Sequence, residues 1–448
     1  MKKNLLTLTL ILVVLIIPLN LFSQQIKISG EFRPRAEVRS GFQKPLLKSE
    51  DPVFAIFQRT RLDVGYESKL FETKISLQDV RVWGQTNHKS AGIPINLFEG
   101  WMRFYFLNYS SVTIGRQVIK YDDNRLLSAS SWSATGYSHD LILYKYNNKN
   151  NNYFLDLGLA YNNSKDVKNS AYYYDNAGSF YKMMNYLWTQ KGFKKGLSLS
   201  GIFIHELHQD PKMVDNPIVD INNYSRFTTG LNLKLSDKNL PIGFLLSGYY
   251  QFGQSTKTYI NNGQLQHKDL SAFLLAAKIN YFINNNFTFT LGCDLYSGTK
   301  YNLEDNNSTN NKSNTWQKLY GSNHSFNGSM EYWRSINDYG LANFYGKFVS
   351  HVNNNLSFGL TYHFFSSHQN LSSYEGTSGK YLGSELDLDL SWKFMKYAEL
   401  TGGWSTYFNS NNTLLVKGMA ADADIRFPQW AFISISFKPE FFKSNKLF

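Results

Sequence analysis

The stretch Glu31-Phe-Arg-Pro-Arg-Ala-Glu-Val-Arg39 alternates between charged and uncharged residues. One face carries five formal charges, three of them arginines, whereas the other carries Phe32, Pro34, Ala36 and Val38. A period of two predicts a β-strand. A soluble sheet can turn such a charged face to solvent, but a transmembrane barrel can turn it to a watery lumen and the apolar face to lipid. The rest of the chain favours the barrel.

The N-terminus predicts export from the cytoplasm. A basic start at Lys2 and Lys3, an apolar run over residues 5–17 and a small residue at Ser23 are typical of a secretory signal. We expect cleavage after Ser23, and the alternative is a retained N-terminal anchor helix. Beyond this signal peptide (residues 1–23), no run approaches the roughly 20 apolar residues of a membrane helix. No linker divides the remainder, so residues 24–448 are predicted to form a single outer-membrane β-barrel domain.

The composition fits an all-β membrane protein. Aromatic residues make up 16% and charged residues only 18% of the chain, which favours strands and the aromatic girdles of membrane barrels. Cys293 is the single cysteine, so we expect no disulfide and no cysteine metal site. It shares a face with Phe289 and Leu291, which predicts an outward or packed apolar position. We expect no cofactor and no metal.

The net charge favours anionic partners. The formal charge of +12 becomes +10 when Lys2 and Lys3 leave with the signal. Such a surplus suits small anionic solutes, an anionic polysaccharide, or the phosphates of lipopolysaccharide in the surrounding membrane lipid. It does not choose between them, and no feature predicts a nucleic-acid partner. Periplasmic partners cannot be identified from the sequence, and we expect a monomer.

Eighteen segments have the texture of strands, most of them with alternating polarity. They are residues 26–39, 54–67, 70–83, 95–107, 110–118, 138–147, 152–161, 180–190, 196–207, 224–235, 242–253, 269–282, 287–298, 339–350, 356–367, 382–394, 398–408 and 429–438.

The links between these segments alternate between short and long. Short links are rich in Asn, Lys or Gly, as at residues 147–151 and 284–286, whereas long links include 208–223, 255–268 and 299–338. This pattern predicts an antiparallel transmembrane β-barrel of about 18 strands, with short periplasmic turns and long extracellular loops. Lipid offers no hydrogen bonds, so the sheet must close. The loops at 119–137 and 299–338 are long enough to fold inward or to cover the mouth.

Two places interrupt the alternation. Pro34 lacks a backbone N–H, which suggests a bulge in the first strand. In the third strand, the face of Ile75 and Leu77 continues by parity as Asp79 and Arg81. Either a bulge lies near Gln78-Asp79 or the top of the strand has left the membrane, and we favour a bulge that turns Asp79 and Arg81 inward.

The arginines are concentrated near the N-terminus. The chain has twelve arginines, and nine of them lie between residues 33 and 125. An arginine facing lipid at the bilayer midplane costs roughly 2–4 kcal/mol, so arginines in strands should face the lumen. The candidate path residues are Arg33, Arg35, Arg39, Arg59, Arg61, Arg81, Arg103, Arg116 and Arg125. The candidate acidic partners are Glu31, Glu37, Asp63, Asp79, Glu99, Asp122 and Asp123.

An arginine-lined wall has three interpretations. Guanidinium groups hold carboxylates in bidentate pairs, so the wall suits the passage of a polyanion by exchange between weak sites. A general preference for anions is a second interpretation. The third is a charge network that keeps the barrel round and its pore open.

Residues 29–140 resemble the alginate export family of outer-membrane barrels. The resemblance is carried by Glu31–Arg39, Arg59-Thr-Arg-Leu62, Gln78-Asp-Val-Arg-Val-Trp-Gly84, Glu99-Gly-Trp-Met-Arg103, Gly115-Arg-Gln117 and Tyr121-Asp-Asp-Asn-Arg-Leu126. It implies an eighteen-stranded barrel with an electropositive conduit for an acidic polysaccharide, to which the arginines of these motifs belong. The abundance of Asn, Lys and Tyr resembles a Bacteroidetes-type member. Parity, however, puts Arg116 on the outward face with Ile114.

No enzyme signature emerges. His205-Glu-Leu-His208 lacks the spacing of a helical zinc motif and is interpreted as rim or loop residues. We therefore expect a non-enzymatic channel in the Gram-negative outer membrane that passes an alginate-like, uronate-containing polysaccharide or oligosaccharide. The alternatives are a general or anion-preferring porin for small nutrients, and a structural barrel plugged by its own loops.

Overall fold

The computed structural model is a closed antiparallel barrel of 18 transmembrane strands, which confirms the predicted fold class. The structure describes residues 24–89, 95–163, 181–212, 220–237, 239–261, 264–300, 311–322, 324–371 and 379–444. The predicted signal peptide, residues 1–23, lies outside the described residues. The first strand pairs with both the second and the last, which closes the sheet and leaves no free edge.

Each strand pairs with its neighbours in sequence. The barrel strands are β1 (Gln25–Ser40), β2 (Val53–Glu67), β3 (Phe71–Val82), β4 (Asn96–Tyr105), β5 (Ser110–Gln117), β6 (His139–Asn148), β7 (Tyr153–Tyr161), β8 (Met183–Gly192), β9 (Leu197–Lys212), β10 (Asp220–Leu235), β11 (Ile242–Asn261), β12 (Gln264–Phe282), β13 (Phe287–Tyr296), β14 (Leu341–His351), β15 (Leu356–Ser366), β16 (Tyr381–Met395), β17 (Ala398–Asn409) and β18 (Gln429–Phe437).

Short elements accompany the barrel. Glu440–Lys443 continues the last strand beside β1, and Lys312–Ser313 pairs in parallel with β12. The six-residue helix α1 (Asn411–Val416) follows β17, and Ser410 caps it by accepting a hydrogen bond from the Thr413 amide. Among the described residues, no helix is long and apolar enough to cross a membrane.

The links alternate between short turns at one end of the barrel and longer loops at the other. The exception is the two-residue link 262–263 between β11 and β12. The predicted loops 208–223 and 255–268 are wrong in extent, because β9 to β12 run further and only 213–219 and 262–263 connect them. The pairing of β11 and β12 shifts register between Gln254 and Thr258, just after Gly253, whose φ is +99°. This bulge interrupts the alternation and hides the continuing strand from the sequence pattern.

The two faces of the wall differ as a membrane barrel requires. Cross-strand pairs such as Leu62 with Leu77 and Val64 with Ile75 point outward and are exposed. Cys293 lies between outward-facing neighbours and is partly covered. Polar residues such as Ser76 and Gln78 point inward and are buried. The apolar outer face suits lipid, as period two predicted.

Neither predicted bulge is present. Pairing of β1 with β2 passes through Pro34 opposite Gln58 without a shift, and pairing with β18 resumes in the same register after Pro34. The register of β2 and β3 is also continuous through Gln78 and Asp79. A shift does occur between Ser76 and Leu77 against β4, where the extra residue belongs to β4.

Two long loops fold into the barrel, as expected from their length, and supply its core. Loop A is residues 118–138, between β5 and β6, and loop B is residues 297–340, between β13 and β14. Leu127 of loop A and Met330, Tyr332 and Trp333 of loop B are almost completely buried. The two loops pair at Leu127 and Tyr320. The hydrophobic core therefore lies inside the wall, where it narrows the lumen.

Candidate functional site

Four arginines on β1 and β2 form a guanidinium ladder on the inner wall. Arg33, Arg35, Arg59 and Arg61 alternate inward, and Arg35 and Arg59 are buried. Arg33 lies directly opposite Arg59 in the strand register. Like charges opposite each other destabilise a sheet unless anions or dipoles compensate them. The two guanidinium groups of this pair therefore need negatively polarised partners.

Carboxylates compensate the ladder only in part. Glu31 accepts from Arg59 at 2.8 Å, and Glu37 contacts both Arg35 and Arg39 at 2.7 Å. Arg33 has no carboxylate within 4.0 Å among the described residues. Its guanidinium is therefore the member of the ladder without an anionic partner.

Backbone carbonyls of loop A contact the ladder instead. Arg33 donates to the Ser131 carbonyl at 2.6 Å and to the Ser133 carbonyl at 3.0 Å. Arg35 donates to the Trp132 carbonyl at 2.7 Å, and Arg59 to the Ser133 carbonyl at 3.2 Å. The tip of loop A thus lies against the arginines with its carbonyl oxygens turned toward them.

Arg35, Trp132 and His324 contact one another where two cavities inside the barrel meet, and this cluster is here called the constriction. The indole of Trp132 stacks on the His324 ring at 3.9 Å between centroids, and the Arg35 guanidinium lies 4.2 Å from the centre of the indole. Because the imidazole of His324 and the guanidinium of Arg35 both lie so close to the centre of the indole, they cover its opposite faces. Glu331 accepts a hydrogen bond from His324 at 3.2 Å. Burial alone would raise the pKa of Glu331, but this hydrogen bond and the nearby positive charges lower it.

The constriction separates two spaces inside the barrel. A cavity of about 570 Å³ opens toward the loops and one of about 540 Å³ toward the turns, and both are lined by Arg35, Trp132 and His324. A solute crossing the barrel along this path would have to pass these three side chains. Strands β1 and β2 therefore supply the arginines of this path, and the two loops supply Trp132 and His324.

Lysines line the cavities toward the turns, where several of them pair with carboxylates. Lys347 and Lys438 line the turn-side cavity below Arg33. A separate cavity of about 1060 Å³ lies at the turn end of β6 to β13 and is lined by Lys120, Lys145 and Lys234 among others. None of these lysines was among the candidate path residues predicted from the sequence. Their alternation with apolar neighbours, as in Leu233-Lys234-Leu235, was the available signal.

Arg125 anchors loop A to the wall. Its guanidinium contacts Asp294 at 2.9 Å, Tyr296 at 3.0 Å and Asp123 at 3.1 Å. Asp122 accepts from Ser200 at 2.5 Å, and burial raises the pKa of Asp122 despite that bond. Carboxylates of loop A and of β13 thus balance the charge of Arg125, as is typical of a structural residue.

Three candidates do not face the lumen. Arg81 pairs with Asp79 at 2.7 Å on the outer face, opposite Gln58 and Thr60. Arg116 pairs with Asp140 at 2.8 Å, in line with the outward Ile114 and Ile142. The inward assignment of Asp79, Arg81 and Arg116 is therefore wrong. The favoured bulge is absent, and each residue lies near a strand end, where facing outward costs little.

The remaining candidates form inward-facing pairs beside the ladder. Arg103 donates to Glu72 at 2.6 Å, and Lys74 contacts both Asp63 and Glu99. These pairs fit the structural interpretation of the charge network. Within the described residues, no group of three or more His, Cys, Asp or Glu residues could hold a metal ion.

Loop B has its own charged anchor, which the sequence reading did not identify. Glu206 is completely buried and accepts two hydrogen bonds from Arg226, both at 2.8 Å. It also accepts from Tyr320 of loop B at 2.9 Å. His205-Glu-Leu-His208 therefore lies within β9 and not in the rim or a loop as predicted, and its glutamate fixes the inward loop.

The fold is similar to that of solved outer-membrane proteins. OccAB1 of Acinetobacter baumannii is 12% identical, with a TM-score of 0.60 over 93% of this chain and 97% of that one. OccK2 (OpdF) of Pseudomonas aeruginosa, solved in complex with glucuronate, is 12% identical, with a TM-score of 0.57 over 93% and 98%. The outer membrane protein opdK of P. aeruginosa is 12% identical, with a TM-score of 0.56 over 93% and 99%.

No family model and no curated protein matches the sequence. The resemblance to the alginate export family therefore stays a prediction. At 12% identity, the solved structures establish the architecture of the wall and leave the solute to be argued from the side chains.

Proposed function

We propose that the protein is a passive, non-enzymatic outer-membrane channel for small anionic solutes that carry carboxylates. One observation supports this most directly. Arg33, which has no carboxylate partner among the described residues, lies opposite Arg59 beside a constriction between two cavities. A carboxylate entering there would supply the charge that the wall lacks and would bind in a bidentate fork.

The distribution of charge supports passage rather than tight capture. Positive side chains line the path from Arg39 at the loop side, past Arg33, to Lys347 and Lys438 toward the turns. Glu31 and Glu37 already occupy part of the ladder, which lowers its affinity for a solute. A channel needs several weak sites between which the solute exchanges, because a single tight site would block flow.

The outer membrane is the proposed location. The barrel has an apolar outer face and a polar inner face, as lipid and water require. The predicted signal peptide would export the chain, and the similar solved proteins include one described as an outer membrane protein. Outward pairs such as Arg81 with Asp79 would lie at the rim, near charged lipid head groups.

Uronates are the proposed solute class. OccK2 was solved with glucuronate, a sugar carrying a carboxylate, and here the constriction joins guanidinium groups to a stacked aromatic ring. An alginate-like chain presents the same carboxylates in series. We favour monomers and short oligomers over a polymer, because the Trp132–His324 contact narrows the path between the loops.

The test is single-channel current through the refolded protein in a planar bilayer. D-glucuronate and a triuronate should reduce the current reversibly, whereas glucose and maltotriose should not. Arg33→Gln should weaken the block by glucuronate about tenfold, because a hydrogen bond to a charged group contributes roughly 1.5–3 kcal/mol. The matched control is Arg81→Gln, which removes an arginine from the outer face and should leave the block unchanged.

Each other outcome has a defined meaning. Current that all four sugars leave unchanged would indicate a general porin. Equal block by glucuronate and glucose would contradict recognition of the carboxylate. Absence of any current would support the plugged structural barrel. A triuronate that blocks no better than glucuronate would argue against a polysaccharide path.

A further inference from the structure

The tip of loop A lies where a carboxylate would bind. Five consecutive carbonyls, those of residues 131–135, accept hydrogen bonds from the guanidinium ladder or from Gln78. Arg33 reaches three of these carbonyls and Arg59 reaches three. The protein's own backbone oxygens thus take the positions at the forks that oxygens of an anionic solute would take.

The base of the loop is held differently. Residues 119–127 pack with the core through Leu126 and Leu127, and Arg125 fixes them to Asp294 of β13. The tip has one large apolar contact, that of Trp132 with His324, Trp430 and Phe432. Loop A therefore has a firmly anchored base, and its tip is held by polar contacts with the ladder and by the packing of Trp132.

A loop carbonyl and a solute carboxylate, the two possible acceptors at the ladder, form hydrogen bonds of different strength. A carbonyl is neutral, whereas a carboxylate is charged and makes charge-assisted hydrogen bonds that are roughly twice as strong as neutral ones. Arg33 has the most to gain, because Glu37 and Glu31 already pair with Arg35 and Arg59. An incoming carboxylate can therefore replace a carbonyl at Arg33 without leaving a buried guanidinium unsatisfied.

We propose that the tip of loop A (residues 131–135) is a built-in competitor for the oxyanion site at Arg33 and Arg59, and that a carboxylate solute displaces it. The constriction is then opened by the solute, because Trp132 belongs to the displaced tip. This inference rests on the proposed function and adds that the ladder exchanges partners. Neutral solutes cannot displace the carbonyls and meet a tip that stays in place.

The experiment follows the tip and the current together. A nitroxide label is attached at Ser131→Cys in a Cys293→Ala background, since the Ser131 side chain is exposed and Cys293 is the single native cysteine. A second label at Thr135→Cys, also exposed, guards against a local effect of the first. Spectra of the protein in liposomes are recorded during titration with D-glucuronate or glucose, and block is measured on the same variants.

The proposal predicts that glucuronate increases the mobile fraction of both labels over the concentration range in which it blocks current. Glucose should change neither quantity. Arg33→Gln should increase mobility before any ligand is added and shift the half-maximal glucuronate concentration upward about tenfold. Arg81→Gln should match the unsubstituted labelled protein in both readouts.

The failures can be told apart. Block by glucuronate with unchanged spectra at both labels would overturn displacement and leave the anion channel standing. Increased mobility without block would place the oxyanion site outside the current path and overturn the proposed function. No effect on either readout would overturn both.

Discussion

At the scale of single residues, the placement of the arginines shows what the sequence could decide. Period two put Arg33, Arg35, Arg59 and Arg61 on the inner face, where the structure has them. The period-two rule also put Arg116 on the outer face, where the structure has it. The family resemblance had implied that Arg116 belongs to the conduit. The energetic argument against outward arginines applies to the bilayer midplane and weakens to about 0–1 kcal/mol near the interfaces.

Trp132 is predicted to control the width of the constriction. Trp132→Ala should raise single-channel conductance several-fold, because the indole lies between Arg35 and His324. Trp83→Ala removes a ring that is 55% exposed and serves as the matched control in the same bilayer recordings. Unchanged conductance in Trp132→Ala would show that the current takes another route.

Lys318 of loop B is predicted to make docking of the loop depend on pH. Burial, reinforced by the positive charge of Arg125, lowers the pKa of Lys318 from 10.5 to about 7. Between about pH 7 and pH 10.5 the unfolded chain binds more protons at Lys318 than the folded protein does. The destabilising effect of Lys318 therefore shrinks as pH rises through this range, and it is constant below about pH 7.

The measurement is the free energy of unfolding in detergent at pH 7 and pH 10. The difference between the protein and Lys318→Met should change with pH, in the sense that the protein gains stability relative to the variant at high pH. Lys300→Met, an exposed lysine of the same loop, should show no such change. A pH-independent difference for Lys318→Met would contradict a neutral Lys318 in the docked loop.

At the scale of elements, link lengths revealed that two loops could fold inward but not where they would dock. The contacts that fix them join residues far apart in the chain, such as Arg125 with Asp294 and Tyr320 with Glu206. Local periodicity carries no information about such pairs. The same limit explains why Glu206 was interpreted as a rim residue although it is completely buried.

Loss of the loop B anchor is predicted to destabilise the protein. Glu206→Gln leaves Arg226 buried without its carboxylate, which costs about 3–5 kcal/mol when a buried pair is broken. The control is Glu72→Gln, whose pair with Arg103 is partly exposed and should contribute at most about 1 kcal/mol. Urea unfolding in detergent measures both, and equal losses would contradict a special role for Glu206.

At the scale of the whole molecule, closure follows from the sequence more securely than any single site. Short and long links alternate, the wall strands alternate in polarity, and together these patterns specify an antiparallel barrel in lipid. The predicted loop 255–268 is the exception to this agreement. The hairpin of β11 and β12 continues past a bulge at Gln254 to Thr258, and this bulge breaks the alternation of polarity. Strand number was predictable because each turn marks a strand end, whereas the shape of the lumen depends on the inward loops.

The most direct test of the account is the reversal potential of a single channel in a tenfold gradient of potassium chloride. The account predicts a reversal potential of the sign that chloride permeation produces, and a shift toward zero in Arg33→Gln but not in Arg81→Gln. A reversal potential at zero, or one of the sign that potassium produces, would contradict an anion path along the guanidinium ladder.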